Sequence, residues 1–242
     1  MVRRGLVLSR VEAARAIEAN LVLVNGSIAD KSARLIDLGD AVVLQGPPAR
    51  FVSRGGEKLD AALDAFGIDV VGRRVLDAGA STGGFTDCLL QRGAGHVVAI
   101  DVGHGQMHPK IRGDERVGVF ERFHVRNLDA AVIGGHVDLV VADLSFISIV
   151  RTLSSLMNVC RPEGELVLLV KPQFEAGKAE VDRGSGVIRD PVVHQRVCDE
   201  ISVALIGHGC DVLGWIDSPI TGAQGNREFF VHARLGRSGS AS

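Results

Sequence analysis

The sequence predicts an α/β protein in which a small N-terminal α/β module precedes a mostly parallel sheet whose last strand is antiparallel. Short apolar runs alternate with helical patterns after residue 57. The last two apolar runs are separated by a turn and not by a helix, which favours antiparallel pairing. The 242 residues are 46% hydrophobic, so the chain can bury a sizeable core.

The first 46 residues predict a module with one helix and a few short strands. Ser9 and Glu12 have the spacing of a capping box, and a helical apolar pattern follows them. The segment "LVLVNG" predicts a strand that ends in a tight turn, and "DLGDAVVLQ" predicts another short strand. Residues 47–56 begin with two prolines and are expected to form a linker.

Residues 57–236 are expected to form the larger domain, followed by a disordered tail at 237–242. The predicted helices are "EKLDAALDAF", "GFTDCLLQR", "SIVRTLSSLMNVC" and "PVVHQRVCDEISVALIG". The predicted strands are "RVLDA", "HVVAID", "VGVF", "VDLVVAD", "LVLLVK", "DVLGWID" and "REFFVHARL". Most of these strands are continuously apolar, as expected for a sheet covered by helices on both faces.

Charge and cysteine content limit the classes of function. The net charge of −2 means that any binding of nucleic acid needs a local basic surface. The four cysteines match no zinc-binding pattern, so we expect reduced thiols, no metal and a cytoplasmic location. No apolar stretch reaches the ~18–20 residues of a membrane span, so no membrane partner is expected.

A glycine-rich turn follows the strand "RVLDA" and runs into a helix, in "RVLDAGASTGGFTDCLL". The spacing of its glycines does not fit the G-x-G-x-x-G pattern of dinucleotide-binding folds. Asp77 suits a cationic ligand such as S-adenosylmethionine, and Asp101, at the end of the next strand, suits the two hydroxyls of a ribose. The alternative is a tight strand-to-helix turn with two solvated acids.

Ionisable residues also stand at the ends of three other predicted strands. Asp143 and Lys171 end parallel strands, and Glu228 begins the antiparallel one, so all three are expected at the carboxyl edge of the sheet. The helix that begins near Gly56 is expected to direct Lys58 at the same edge. Charges in such places need partners, and a purely structural cluster of salt bridges is the alternative.

The motifs "VSRGGEKL", "LDAGASTGGFTD", "VVADLSFIS", "LVKPQFEAGK" and "GNREFF" together resemble the TlyA family, also named haemolysin A. The resemblance implies a Rossmann-like, FtsJ-like methyltransferase domain that uses S-adenosyl-L-methionine and methylates cytidine riboses of ribosomal RNA. Residues 1–46 are similar to the RNA-binding domain named after ribosomal protein S4, and are expected to be a shortened form of it. Ribosomal RNA or ribosomal subunits are therefore the expected partners.

The resemblance and the charge pattern yield three sets of candidate residues. The catalytic set resembles the Lys-Asp-Lys-Glu tetrad of ribose 2′-O-methyltransferases and comprises Lys58, Asp143, Lys171 and Glu228. The expected cofactor-binding residues are Asp77, Gly79, Ser81, Thr82, Gly83, Gly84, Phe85, Asp101, Val102 and Asp143. The expected RNA-binding residues are Arg3, Arg4, Arg10, Arg15 and Arg54. His124 stands where relatives are expected to have an asparagine beside the cofactor adenine.

Other classes of function remain open at the level of the sequence. A membrane-active haemolysin would need an amphipathic or long apolar segment, and the sequence contains neither. An RNA-binding factor with an inactive methyltransferase fold would not need the four tetrad residues. A nicotinamide-dependent dehydrogenase is disfavoured by the glycine spacing. The sequence gives no indication of oligomeric state.

Overall fold

The computed structural model describes residues 1–7, 10–46, 49–222 and 224–236. The chain divides into two compact units, Met1–Ala49 and Arg50–Ser242. Ser9, the Pro47-Pro48 break and the predicted tail lie outside the described residues. Within the described ranges, no helix is long and apolar enough to cross a membrane.

The N-terminal unit has one α-helix and a three-stranded antiparallel sheet. Its elements are a 3₁₀ turn (Val2–Arg4), α1 (Arg10–Glu18), β1 (Val22–Val24), β2 (Ser27–Ile28) and β3 (Val42–Leu44). β1 lies between β2 and β3. The φ angles of Asn25 and Gly26 are 52° and 80°, the left-handed conformation that two-residue hairpin turns require. The predicted turn is therefore confirmed.

The second unit is built on a seven-stranded sheet. Its strands are β4 (Arg74–Ala78), β5 (His96–Asp101), β6 (Val117–Glu121), β7 (Val137–Ala142), β8 (Cys160–Val170), β9 (Cys210–Asp217) and β10 (Phe229–Leu235). They lie in the order β6-β5-β4-β7-β8-β10-β9. β4 to β8 are parallel, and β10 is antiparallel to both of its neighbours, as predicted.

Helices cover both faces of this sheet. They are α2 (Arg54–Phe66), α3 (Gly84–Gln91), α4 (Pro109–Arg112), α5 (Leu153–Asn158), α6 (Pro172–Glu175), α7 (Lys178–Arg183) and α8 (Pro191–Gly207), with 3₁₀ turns at Val125–Asn127 and Ile149–Thr152. Successive strand residues point to opposite faces of the sheet and pack in two separate hydrophobic cores. Leu76 packs with residues of α5 and α8, whereas Val75 packs with residues of α2 and α3.

Several element boundaries differ from those predicted. Residues 54–56, which we assigned to the linker, form the first turn of α2. β8 begins at Cys160 because it pairs with β7 through an irregular register before its apolar run starts. The predicted helix at 148–160 is a 3₁₀ turn followed by α5, and α7 lies where no helix was predicted.

Candidate active site

The ends of the parallel strands bring the candidate residues to one edge of the sheet. Ala78 pairs with Ala142, and Ala142 pairs with Leu168, so β4, β7 and β8 end close to one another. The Asp143 N–H donates to the Ala78 carbonyl at 2.9 Å, which extends this pairing by one residue. Asp143 and Lys171 therefore follow adjacent strand ends, as the sequence predicted.

Lys171 is held at this edge by contacts with three side chains. Its Nζ lies 2.5 Å from Asp143 Oδ1 and donates to Ser145 Oγ at 2.9 Å. The same nitrogen lies 5.9 Å from the ring centroid of Phe174, a distance at which a cation is attracted by an aromatic face. Lys171 is 9% exposed, so the carboxylate and the hydroxyl replace most of the water around its charge.

Lys58 and Glu228 form a second buried ion pair. Lys58 Nζ donates to Glu228 Oε2 at 2.6 Å, and both side chains are buried. Phe229 pairs with Val170, so Glu228 and Lys171 each lie one residue beyond the last paired position of β10 and β8. The structure therefore joins the four predicted residues as two ion pairs at neighbouring strand ends.

Close backbone packing positions Lys58. A Cβ atom on Gly56 would lie closer than 3.0 Å to the Phe51 side chain, and one on Gly84 would clash with Ser53 Oγ. Segment 51–56 can therefore lie against the start of α3 only because these residues are glycines. The buried Asp87 carboxylate holds the segment further by accepting the Val52 N–H at 2.9 Å.

The glycine-rich turn lies directly against the end of β7. Gly79 has a φ of 89°, and a Cβ there would lie 2.5 Å from the Asp143 carbonyl oxygen. Gly83 (φ 91°) and Ser81 (φ 46°) also have left-handed backbone. The Asp101 carboxylate fixes the turn, because it accepts the N–H groups of Ser81 (2.8 Å) and Gly103 (2.6 Å).

Asp77 is more deeply buried than its predicted contact with a cationic ligand suggests. It is fully buried, and one oxygen accepts the Thr86 hydroxyl at 2.6 Å. Its Oδ1 has no hydrogen-bond partner. Burial, and to a lesser extent the charge of Asp143, raises the pKa of Asp77 to about 7. A buried carboxylate oxygen without a partner is a feature expected where a cationic group of a ligand belongs.

The remaining predicted cofactor residues lie in different environments. The Phe85 side chain is buried in the core, with its ring 6.2 Å from that of Phe230. Thr82 and Val102 are exposed. Gly84 begins α3, whose first turn supplies backbone N–H groups.

A small cleft between the turn and the ends of β5 and β6 adds residues that the sequence did not single out. It is lined in part by Ser81, Asp101, Gly103, Gln106 and Phe120. Gln106 accepts a hydrogen bond from the Ser81 hydroxyl at 3.2 Å. Sequence reasoning missed Gln106 and Ser145 because both lie in irregular segments, where spacing does not predict which side chains meet.

His124 has a local structural role. Its Nδ1 accepts the Arg126 N–H at 3.1 Å and caps the 3₁₀ turn at Val125–Asn127. Asparagine is a favourable capping residue, so a histidine here can replace the capping function of the residue expected in relatives.

Among the residues that the structure describes, no group of three His, Cys, Asp or Glu side chains is arranged to hold a metal ion.

The predicted RNA-binding arginines do not share one environment. Arg4 donates to the backbone carbonyls of Asp40, Asp37 and Leu38, the last two at 3.0 and 3.1 Å, so its guanidinium holds a loop of its own unit. The other members of the set are described only in part. Arg3 and Arg10 are exposed, Arg54 is half-buried, and none of the three pairs with another described residue, while the Arg15 side chain lies outside the described residues.

Comparison with known proteins agrees with this architecture. A model of the FtsJ-like methyltransferase family matches residues 51–235, and a model of the S4 domain matches residues 1–42. The 16S/23S rRNA (cytidine-2′-O)-methyltransferase TlyA of Mycobacterium tuberculosis is 48% identical over 240 residues, which are 97% of this chain and 87% of that protein.

Proteins with a haemolysin name are similar as well. Hemolysin A of Brachyspira hyodysenteriae is 38% identical over 230 residues, which are 94% of this chain and 95% of that protein. A solved structure of a hemolysin-named protein from Streptococcus thermophilus has a TM-score of 0.81 at 38% identity and covers 96% of this chain and 86% of that one. The chain therefore belongs to the FtsJ-like methyltransferase family and, with its S4 domain, to the TlyA proteins.

Proposed function

We propose that this protein methylates a ribose 2′-hydroxyl of ribosomal RNA, with cytidine as the nucleotide and S-adenosyl-L-methionine as the methyl donor. The observation that carries the proposal is the pair of ion pairs, Lys58–Glu228 and Lys171–Asp143, at the strand ends beside the glycine-rich turn. These pairs lie at the carboxyl edge of a parallel sheet, which is where ligands bind in open α/β folds. The names of the M. tuberculosis and Campylobacter jejuni relatives point to the same substrate.

The residues of the turn fit the proposed cofactor. The unpartnered Oδ1 of Asp77 would accept a cationic group, and the Asp101 carboxylate retains lone pairs for ribose hydroxyls. Gly79 and Gly83 give the turn the left-handed backbone that brings it against Asp143 and Ile111. S-adenosylmethionine, when bound, supplies an electrophilic methyl group.

Lys171 is the residue that would receive or steer the proton of the 2′-hydroxyl. A hydroxyl is a poor nucleophile at neutral pH, so it needs a base or a cation that stabilises developing negative charge. Asp143 fixes the position of Lys171 through the 2.5 Å contact. Lys58 would add a second positive charge near the reacting oxygen, with Glu228 compensating that charge when no substrate is present.

The N-terminal module would bring the substrate to this site. Residues 1–54 contain eight basic and five acidic side chains, a net charge of +3, although the whole chain is acidic. Arg3 and Arg10 are exposed and unpaired among the described residues, so they are available for phosphates. The chain has no tyrosine, which favours recognition of folded RNA by shape over extensive base stacking. A ribosomal substrate would place the enzyme in the cytoplasm.

The decisive experiment uses ribosomal subunits that lack the modification. Purified protein is incubated with each subunit and methyl-labelled S-adenosylmethionine, and the labelled nucleotide is mapped. We expect one or a few labelled ribose 2′-oxygens. A protein that binds subunits and the cofactor but transfers no methyl group would instead be an RNA-binding factor with an inactive methyltransferase fold. Tight binding of NAD, with no binding of S-adenosylmethionine, would overturn the cofactor assignment.

A further inference from the structure

Ser145 is the second polar contact of Lys171. Its Oγ accepts a hydrogen bond from Lys171 Nζ at 2.9 Å, on the segment that follows Asp143. An ammonium group has three hydrogens. Ser145 accepts one of them, whereas Asp143 attracts the ammonium as an ion pair in which its Oδ1 accepts no hydrogen bond. The hydroxyl thus contributes to the direction in which the remaining hydrogens point.

The segment that carries Ser145 is held in place by the helix that follows Lys171. Glu175, in the helix that begins directly after Lys171, accepts the Ser148 hydroxyl at 2.6 Å and the Ile149 N–H at 2.8 Å. Phe146, which lies between Ser145 and Ser148, has a φ of 63°, which a non-glycine residue keeps only when its surroundings fix it. Ser145 is therefore held by the fold and does not approach Lys171 by chance.

A hydroxyl can do what the Asp143 carboxylate cannot. A carboxylate only accepts hydrogen bonds, so its contact with Lys171 weakens when the ammonium loses a proton. A serine hydroxyl accepts from an ammonium and, after rotation, donates to the lone pair of a neutral amine. We propose that Ser145 is a positioning residue that keeps Lys171 in place in both of its protonation states during methyl transfer. This inference rests on the proposed function.

The test compares Ser145→Ala and Ser145→Thr with the wild type on the same subunits. Ser145 is exposed, so neither change is expected to prevent folding. We expect Ser145→Ala to lower kcat about tenfold, while KM for RNA and Kd for S-adenosylmethionine stay within twofold. The threonine variant keeps the hydroxyl and should recover most of kcat. Ser154→Ala, a change of an exposed serine in α5, serves as the matched control and should leave kcat unchanged.

Other outcomes overturn the proposal. A kcat within twofold of the wild type in Ser145→Ala means that the hydroxyl is not needed. A loss of kcat that threonine does not restore, or an effect confined to KM, assigns the residue to packing or to binding. Failure of the proposed function gives a different result, because the wild type itself would then transfer no methyl group, and both proposals would fall together.

Discussion

Lys58 and Glu228 are separated by 170 residues, yet the ammonium of the first lies 2.6 Å from the carboxylate of the second. The pair joins the first turns of α2 to the start of β10, beside the end of β8. Each charge is removed from water and depends on the other. Together with the Lys171–Asp143 pair, this contact connects α2, the ends of β7 and β8, and the start of β10 at one edge of the sheet.

The Lys58–Glu228 pair predicts strong coupling in stability. Breaking a buried ion pair leaves one charge without a partner and costs ~3–5 kcal/mol. We expect Lys58→Met and Glu228→Met each to lower the free energy of unfolding by about this amount. The double variant should be more stable than the sum of the two effects predicts, by ~2–3 kcal/mol. Urea unfolding followed by the fluorescence of Trp215, the only tryptophan, measures this coupling.

The same double variant separates stability from chemistry. It should regain much of the lost stability and still be inactive, since the Lys58 ammonium is missing from the site. Strictly additive effects on stability would show that the two side chains do not depend on each other. Normal activity in the double variant would assign the pair a structural role only.

Lys171 is expected to be essential for transfer and dispensable for cofactor binding. Lys171→Ala should reduce methyl transfer at least ~100-fold, because Lys171 is the cation that contacts both Asp143 and Ser145. Calorimetry should give a Kd for S-adenosylmethionine close to that of the wild type. Full activity of this variant would refute the assigned role, and loss of cofactor binding would show that Lys171 supports the cofactor site instead.

Gly56 is expected to tolerate no side chain. The Cβ of Gly56→Ala would overlap the buried ring of Phe51, so we expect a loss of ~2 kcal/mol or more and reduced activity through displacement of Lys58. Gly55→Ala is the matched control. Its Cβ would lie 3.4 Å from the Phe85 ring, an ordinary contact, and alanine favours a helix. Equal thermal midpoints for the two variants would contradict this explanation.

The sequence predicts the scaffold of the site better than its contacts. Asp143 and Lys171 could be placed because a residue that ends a parallel strand must lie at the carboxyl edge, whatever the side chains do. Glu228 could be placed because the last two strands lack a helix between them. Ser145 could not be placed, because its contact with Lys171 depends on the path of an irregular segment and on the left-handed backbone of Phe146.

The burial and the hydrogen-bond partners of individual residues could not be predicted either. Asp77 was correctly placed at a strand end, but its complete burial depends on how α3 packs over it. Arg3 and Arg4 are adjacent and of the same residue type, so the sequence does not distinguish them. Only the fold shows that Arg4 donates to three carbonyls of the 37–40 loop. Local patterns do not contain these long-range contacts.

Asp77 predicts a dependence of stability on pH. Its pKa is raised from 3.8 to about 7 in the folded protein, mainly by burial. Between these values the folded state keeps a proton that the unfolded state loses, so the contribution of Asp77 to stability falls as pH rises from about 4 to about 7. Asp77→Asn cannot ionise and should remove this part of the decline. Urea unfolding of both proteins at pH 5, 6, 7 and 8 measures the difference.

The same carboxyl predicts how cofactor binding depends on pH. A cationic ligand favours the ionised form, so S-adenosylmethionine should bind more tightly at pH 8 than at pH 6, with release of a proton. Binding enthalpies in buffers of different ionisation enthalpy detect that proton. Thr86 donates to Asp77, and Asp143 and Asp101 are the charged groups that act on it. Binding without proton release at pH 6 would show that Asp77 is already ionised.

Arg3 and Arg4 are expected to act on different properties, although they are adjacent. The Arg3 side chain is exposed and pairs with no other described residue, so Arg3→Gln should weaken RNA binding and reduce the salt dependence of log K by ~1. Arg4 holds the carbonyls of the 37–40 loop, so Arg4→Gln should speed amide hydrogen exchange there. Arg3→Gln should leave this exchange unchanged. Unchanged slow exchange in Arg4→Gln would mean that the 37–40 loop does not depend on Arg4. An equal loss of salt dependence in both variants would mean that both arginines contact phosphates.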